Sequence, residues 1–131
     1  MIGYSEEDHL KINTLENVLI LSVRKMKIIT VIGEKKTGKS SLAYFLANKL
    51  LQEKKNGNIY FFESDVGQPC TCPPGFMSIR HLKSPILKNR TGWTREYFTD
   101  DMLSFVGDYS PEFNSDIYFS SFVKLLKKFW T

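Results

Sequence analysis

The chain has 131 residues, 42% hydrophobic and 14% aromatic, which suffices for one domain with its own core; no internal repeat or low-complexity tract occurs. A formal charge of +4 and a pI near 9.0 permit an anionic partner without requiring one. Cys70, Cys72, His9 and His81 fall far short of a zinc framework, so the thiols are expected to be reduced in an intracellular protein, with no secretory signal and no apolar run of membrane-spanning length.

In chain order, the first predicted element is a helix over about Ser5 to Lys25, with Leu10, Leu15, Val18, Leu19 and Leu21 as packing positions. Lys27 to Ile32 is a β-branched run of the kind that fills a buried parallel strand. It leads into Gly33-Glu34-Lys35-Lys36-Thr37-Gly38-Lys39-Ser40, a full match to G-x-x-x-x-G-K-[ST]. Glycines at both ends let the backbone curl around an anion, and the helix that follows adds its positive end. Lys39 supplies a point charge toward the β- and γ-phosphates, and the Ser40 hydroxyl is a ligand for Mg²⁺. The expected ATP site therefore comprises Gly33, Glu34, Lys35, Lys36, Thr37, Gly38, Lys39, Ser40 and Ser41. A basic surface turn is the alternative, and the order strand, loop, helix argues against it. Leu42, Phe45, Leu46 and Leu50 recur at helical spacing, and Lys54-Lys55-Asn56-Gly57 reads as a basic last turn with a glycine stop.

Ile59 to Phe62 is the next buried strand, running into Glu63-Ser64-Asp65-Val66-Gly67-Gln68. Acidic groups at the carboxyl end of a strand lie where open parallel sheets bind ligands. A carboxylate there can hold Mg²⁺ or take a proton from an attacking hydroxyl. On a regular strand Glu63 and Asp65 project to the same side, so spacing does not choose between them, and a solvated acidic turn is the alternative.

Between Val66 and Arg95 there is no Asp or Glu, while Arg80, Lys83, Lys88, Arg90 and Arg95 occur with His81 and Trp93 among them. Such a stretch can follow an RNA backbone while an aromatic stacks on a base; a solvated basic loop explains it equally well. A strand is predicted over Met102 to Val106 and a helix over about Asn114 to Phe129, whose Lys124 to Trp130 end reads as a packed amphipathic helix rather than a membrane anchor.

Around the acidic turn the chain resembles the polynucleotide 5′-hydroxyl-kinase family. The resemblance rests on Asp65-Val66-Gly67-Gln68 after the P-loop, the Gln68-Pro69 to Pro73-Pro74-Gly75 run, and Phe105-Val106-Gly107-Asp108-Tyr109-Ser110-Pro111. The proline-rich form is more similar to the nucleolar, ribosomal RNA branch than to the cleavage-factor branch. What the resemblance implies is an α/β fold: a P-loop NTPase with a parallel sheet flanked by helices, a single domain over 1–131 with a basic insertion at about 76–96. It also implies further strands and an arginine-bearing lid that do not appear before Thr131, so the sheet is expected to be incomplete and the chain a truncated or reduced member.

By the same resemblance, Lys39 and Asp65 are catalytic, Ser40 and Asp65 bind the metal, and Gln68 orients a water or the substrate. Arg80, Arg90 and Arg95 are candidates for RNA contact. The implied activity is ATP- and Mg²⁺-dependent phosphorylation of RNA 5′-hydroxyl ends in ribosomal RNA processing, in the nucleus and nucleolus. The alternative is an ATP-binding scaffold that docks on an RNA-processing endonuclease. Neither reading involves a membrane. A GTPase is disfavoured because Asn48-Lys49-Leu50-Leu51 fails the last position of N-K-x-D, and no ABC-type signature run occurs.

Overall fold

A computed structural model describes residues 11–15, 18–23, 26–53, 57–86 and 102–131. They fall into two compact units, residues 1–46 and 47–131.

The first unit holds an antiparallel meander of β1 (Lys11–Leu15), β2 (Val18–Val23) and β3 (Met26–Val31), in the order β1-β2-β3. Leu15 pairs with Val18 and Val23 with Met26, so each connection has two residues, the usual length of a tight hairpin. The helix expected over Ser5 to Lys25 is thus corrected to two strands wherever those residues are described. Ile12, Thr14, Val18, Ile20 and Val23 are β-branched, which favours a pleated ladder over a helix.

The parallel pairing expected of Lys27 to Ile32 is not seen among the described residues. Among the described residues every strand pair is antiparallel. No β3 residue is buried and Ile29 is 38% exposed, whereas a central parallel strand is covered on both faces. Helix α1 (Lys39–Glu53) follows the P-loop and crosses from the first unit into the second. Its buried side chains are Tyr44 and Ala47; of the expected apolar positions, Phe45 and Leu50 are exposed and Leu42 and Leu46 half-buried. The expected basic last turn, Lys54 to Asn56, lies outside the described residues.

In the second unit, β4 (Tyr60–Glu63), β5 (Phe76–His81) and β6 (Met102–Phe105) form an antiparallel sheet with β5 in the centre. Tyr60 pairs with His81 and Glu63 with Ser78; Phe76 pairs with Phe105 and Ile79 with Met102. The first part of the expected basic insertion is therefore the central strand of this sheet, and residues 87–101, including Arg90 and Arg95, lie outside the described residues.

Helix α2 (Ser115–Trp130) begins where Asn114 accepts a hydrogen bond from the Ile117 N–H through its side chain, and it ends on lysines that suit the negative end of the helix dipole. It packs against β5 and β6. Val66, Met77, Ile79, Val106 and Leu125 form the buried centre, with Phe62, Tyr118, Phe122, Leu126 and Phe129 around it. Burying such side chains contributes roughly 1.5–3 kcal/mol each, so this cluster is the main stabilising element of the unit. Two hydrogen bonds tie α1 to the loop after β5: the Asn48 amide donates to the Ile86 carbonyl (2.9 Å) and accepts from the Ile86 N–H (2.7 Å). No helix of the described residues is long and apolar enough to cross a membrane.

Candidate functional site

The P-loop is an exposed turn wound by two left-handed residues, Lys36 (φ 65°) and Gly38 (φ 86°), with Thr37 between them. Left- and right-handed residues in alternation produce the concave main chain that binds anions. The loop braces itself internally. Thr37 Oγ1 donates to the Glu34 carbonyl at 2.8 Å, and the Lys39 ammonium donates to that same carbonyl, which draws the cation across the loop. The Leu42 N–H donates to the Gly38 carbonyl at 3.0 Å, so α1 starts on the glycine and puts Lys39 and Ser40 in its first turn. Ser40 and Ser41 are exposed. Concave backbone, helix start and ammonium form a donor set that suits a polyphosphate, and the exposed Ser40 hydroxyl suits a hard cation.

The acidic turn belongs to the second unit, and there the two carboxylates part company. Strand β4 stops at Glu63, so Asp65 does not continue its alternation. Glu63 is 6% exposed and its Oε2 accepts the Cys70 N–H at 3.1 Å, which commits it to the fold. Asp65 is exposed, and its Oδ1 accepts the N–H groups of Gly67 and Gln68, both at 3.0 Å. One carboxylate oxygen thus shapes the turn, leaving Oδ2 outside those bonds for a metal or a proton. Gln68 is exposed beside it, joined through its main chain.

Sequence motifs far apart in the chain meet behind this turn. Pro73-Pro74-Gly75-Phe76 is a type II β-turn: the Phe76 N–H donates to the Pro73 carbonyl at 3.2 Å, proline occupies the second position, and Gly75 has the φ of 82° that the third position requires. Gly75 donates to the Val66 carbonyl (2.8 Å) and its own carbonyl accepts from Val106 (2.8 Å) and Gly107 (3.2 Å). Gly67 admits no side chain, since a Cβ there would lie 2.6 Å from the Tyr109 carbonyl oxygen. Below the turn, Thr71 and Ser78 share a buried hydroxyl contact of 3.2 Å, and the Tyr118 hydroxyl donates to the Ser64 carbonyl at 3.0 Å. Sequence reasoning missed this bracing role of Gly75 and Tyr109, although the Pro-Pro-Gly run carried the signal in its turn chemistry.

Cys70 and Cys72 are free thiols; the Cys72 Sγ is buried and donates to the Phe76 carbonyl at 3.4 Å. Among the described residues no group of three His, Cys, Asp or Glu could hold a metal ion. Arg80 is half-buried on β5, paired in register with Phe61.

Residues 33–131 match the family described as mRNA cleavage and polyadenylation factor CLP1 P-loop. The chain belongs to that P-loop family. Its curated relatives carry a kinase name. It is 30% identical over 121 residues to polynucleotide 5′-hydroxyl-kinase grc3 of Schizosaccharomyces pombe, covering 88% of this chain and 16% of the relative. It is 33% identical over 131 residues to polynucleotide 5′-hydroxyl-kinase nol-9 of Caenorhabditis briggsae, covering 96% and 23%. With polynucleotide 5′-hydroxyl-kinase nol9 of Dictyostelium discoideum the identity is 36% over 100 residues, covering 75% and 14%. The chain spans less than a quarter of the length of each of these relatives. No solved structure matches it. Membership of this family makes the fold that of a P-loop NTPase.

Proposed function

We propose that the chain transfers the γ-phosphoryl group of ATP to the 5′-hydroxyl of an RNA. The observation that carries this reading is the division of labour at Asp65, an exposed carboxylate with one oxygen held by two main-chain amides and the other outside those bonds, in a chain that also bears a complete P-loop. In the reaction the 5′-oxygen bonds to the γ-phosphorus, the bond to the β-phosphate oxygen breaks, ADP leaves, and the hydroxyl proton passes to Asp65. Phosphoryl transfer through a loose transition state depends chiefly on alignment and charge neutralisation. Lys39 and the loop amides would hold the phosphates, and the Ser40 hydroxyl and the Asp65 carboxylate would each offer oxygen to a metal. A divalent cation held there would supply positive charge to offset that of the transferred group. Gln68 orients the hydroxyl.

The Gln-Pro to Pro-Pro-Gly form supports a ribosomal RNA substrate and a nucleolar location, as do the grc3 and nol9 relatives by their similarity. Incubating the chain with γ-labelled ATP, Mg²⁺ and a 5′-hydroxyl RNA oligonucleotide tests the activity, with Lys39→Ala as control. Label on the wild-type product alone is the expected result. ATP binding without label transfer assigns the chain a scaffold role instead.

A further inference from the structure

Resting on the kinase reading above, we propose that Tyr109 is the stacking platform for the base of the nucleotide whose 5′-hydroxyl meets Asp65. The end of β6 and the segment after it bear three aromatic side chains that the core does not take up: Phe105 is 66% exposed, Tyr109 71% and Phe113 77%. Phe105 already packs against Phe76 at 4.9 Å and lies over Gly75 and Gly107. Tyr109 differs from Phe113 in where its main chain is held. The point that a Gly67 Cβ would occupy is 2.6 Å from the Tyr109 carbonyl oxygen and 3.5 Å from Asp65 Oδ1. The Tyr109 backbone therefore passes within about one residue of the candidate base, packed against a glycine that leaves it no room to be displaced by a side chain, while the residue is largely exposed.

An aromatic ring on an anchored backbone is a rigid platform, because a tyrosine side chain has only two torsions to order. Every nucleobase presents a π-face, so stacking holds a nucleotide without reading its identity. That suits an enzyme whose substrate is defined by its end. The 5′-oxygen is the reacting atom and cannot serve as the handle, and a 5′-hydroxyl terminus lacks the 5′-phosphate that cations would grip. The base is then a handle on the terminal nucleotide beside its 2′-hydroxyl and 3′-phosphodiester. The ligand class is accordingly a single-stranded nucleic acid end of any first base.

The test uses the 131-residue chain and RNA oligonucleotides with 2-aminopurine as the first or an internal nucleotide, without ATP. Fluorescence of the first-position probe is expected to be quenched on binding to the wild type, Tyr109→Phe and Tyr109→Trp, and not to Tyr109→Ala; the internal probe does not distinguish them. In label transfer, Tyr109→Ala is expected to raise KM for the oligonucleotide roughly 5- to 100-fold, the range of one lost base stack, with kcat and KM for ATP unchanged. An abasic first nucleotide is expected to produce the same rise with the wild type and no further rise with Tyr109→Ala. Since the substrate-side change leaves the protein intact, wild-type KM insensitive to the abasic end overturns the proposal, as does equal quenching by wild type and Tyr109→Ala. Tyr109-dependent quenching without any label transfer supports the stacking site while sinking the kinase reading. Label transfer with a Tyr109-independent KM does the reverse.

Discussion

The P-loop and the acidic turn are both glycine-bearing turns at the ends of regular elements, yet they are held in opposite ways. Residues Ile32 to Gly38 are all exposed, and the side-chain bonds that shape the loop, from Thr37 and Lys39 to the Glu34 carbonyl, close within the loop itself. The turn at Asp65 is fastened from behind by Gly75 and by a buried Glu63, and the Tyr109 carbonyl lies close against Gly67. On the proposed function this difference is what the two tasks need: a loop that wraps a diffusing polyphosphate must present free backbone to solvent, whereas a base that meets a second substrate benefits from a rigid mount. The same glycine therefore does different physical work in the two places.

The sharpest way to break this comparison is Lys39→Ala, which removes the cation and leaves the bonds around Asp65 in place. Phosphoryl transfer is expected to fall by about 10²–10³ or more, the scale for loss of one preorganised electrostatic contact, with the urea midpoint nearly unchanged. A large loss of stability instead would mean that Lys39 holds the fold. Next come the paired glycine substitutions. Gly67→Ala forces a methyl against a main-chain oxygen and is expected to destabilise by roughly 1–3 kcal/mol in urea unfolding. Gly38→Ala meets open space, and its left-handed φ costs about 1–2 kcal/mol of local conformation, which should appear mainly as weaker ATP binding in a nucleotide titration. Identical stability losses at both sites would erase the distinction between a free loop and a braced turn.

Asp65 sharpens the comparison further. Asp65→Asn keeps an oxygen for the Gly67 and Gln68 amides and loses the charge, so turnover should collapse while stability changes by less than about 1 kcal/mol. Asp65→Ala removes the acceptor too, and a further loss of about 1–2 kcal/mol is expected. Equal stability of the two variants would remove the case for a structural oxygen. The smallest effect is Tyr118→Phe, which deletes the hydrogen bond to the Ser64 carbonyl and should cost about 1 kcal/mol by thermal or urea denaturation.

The sequence was most readable where the chemistry is local. Eight consecutive residues carry the P-loop, and Asn114 with the apolar positions of α2 sets that helix nearly where the spacing predicts it. Leu15, Val18, Leu19 and Leu21 misled because those positions also satisfy a helical spacing, while the β-branched residues among them were the better guide; Leu10 lies outside the described residues. Strand β5 was hidden for a different reason. Phe76-Met77-Ser78-Ile79-Arg80-His81 has no clean alternation, and Ser78 is buried because Thr71, a neighbour only in space, meets its hydroxyl. The choice between Glu63 and Asp65 likewise depended on where β4 stops, which a repeating pattern of side chains cannot announce.

Because Gly75 donates to Val66 and accepts from Val106 and Gly107, the Asp-x-Gly-Gln, Pro-Pro-Gly and Phe-x-Gly signatures are one mechanical part distributed over three stretches of chain. Gly75 is the hub of that part: a change there releases both partners at once, whereas a change in either flanking stretch leaves the other still bonded to Gly75.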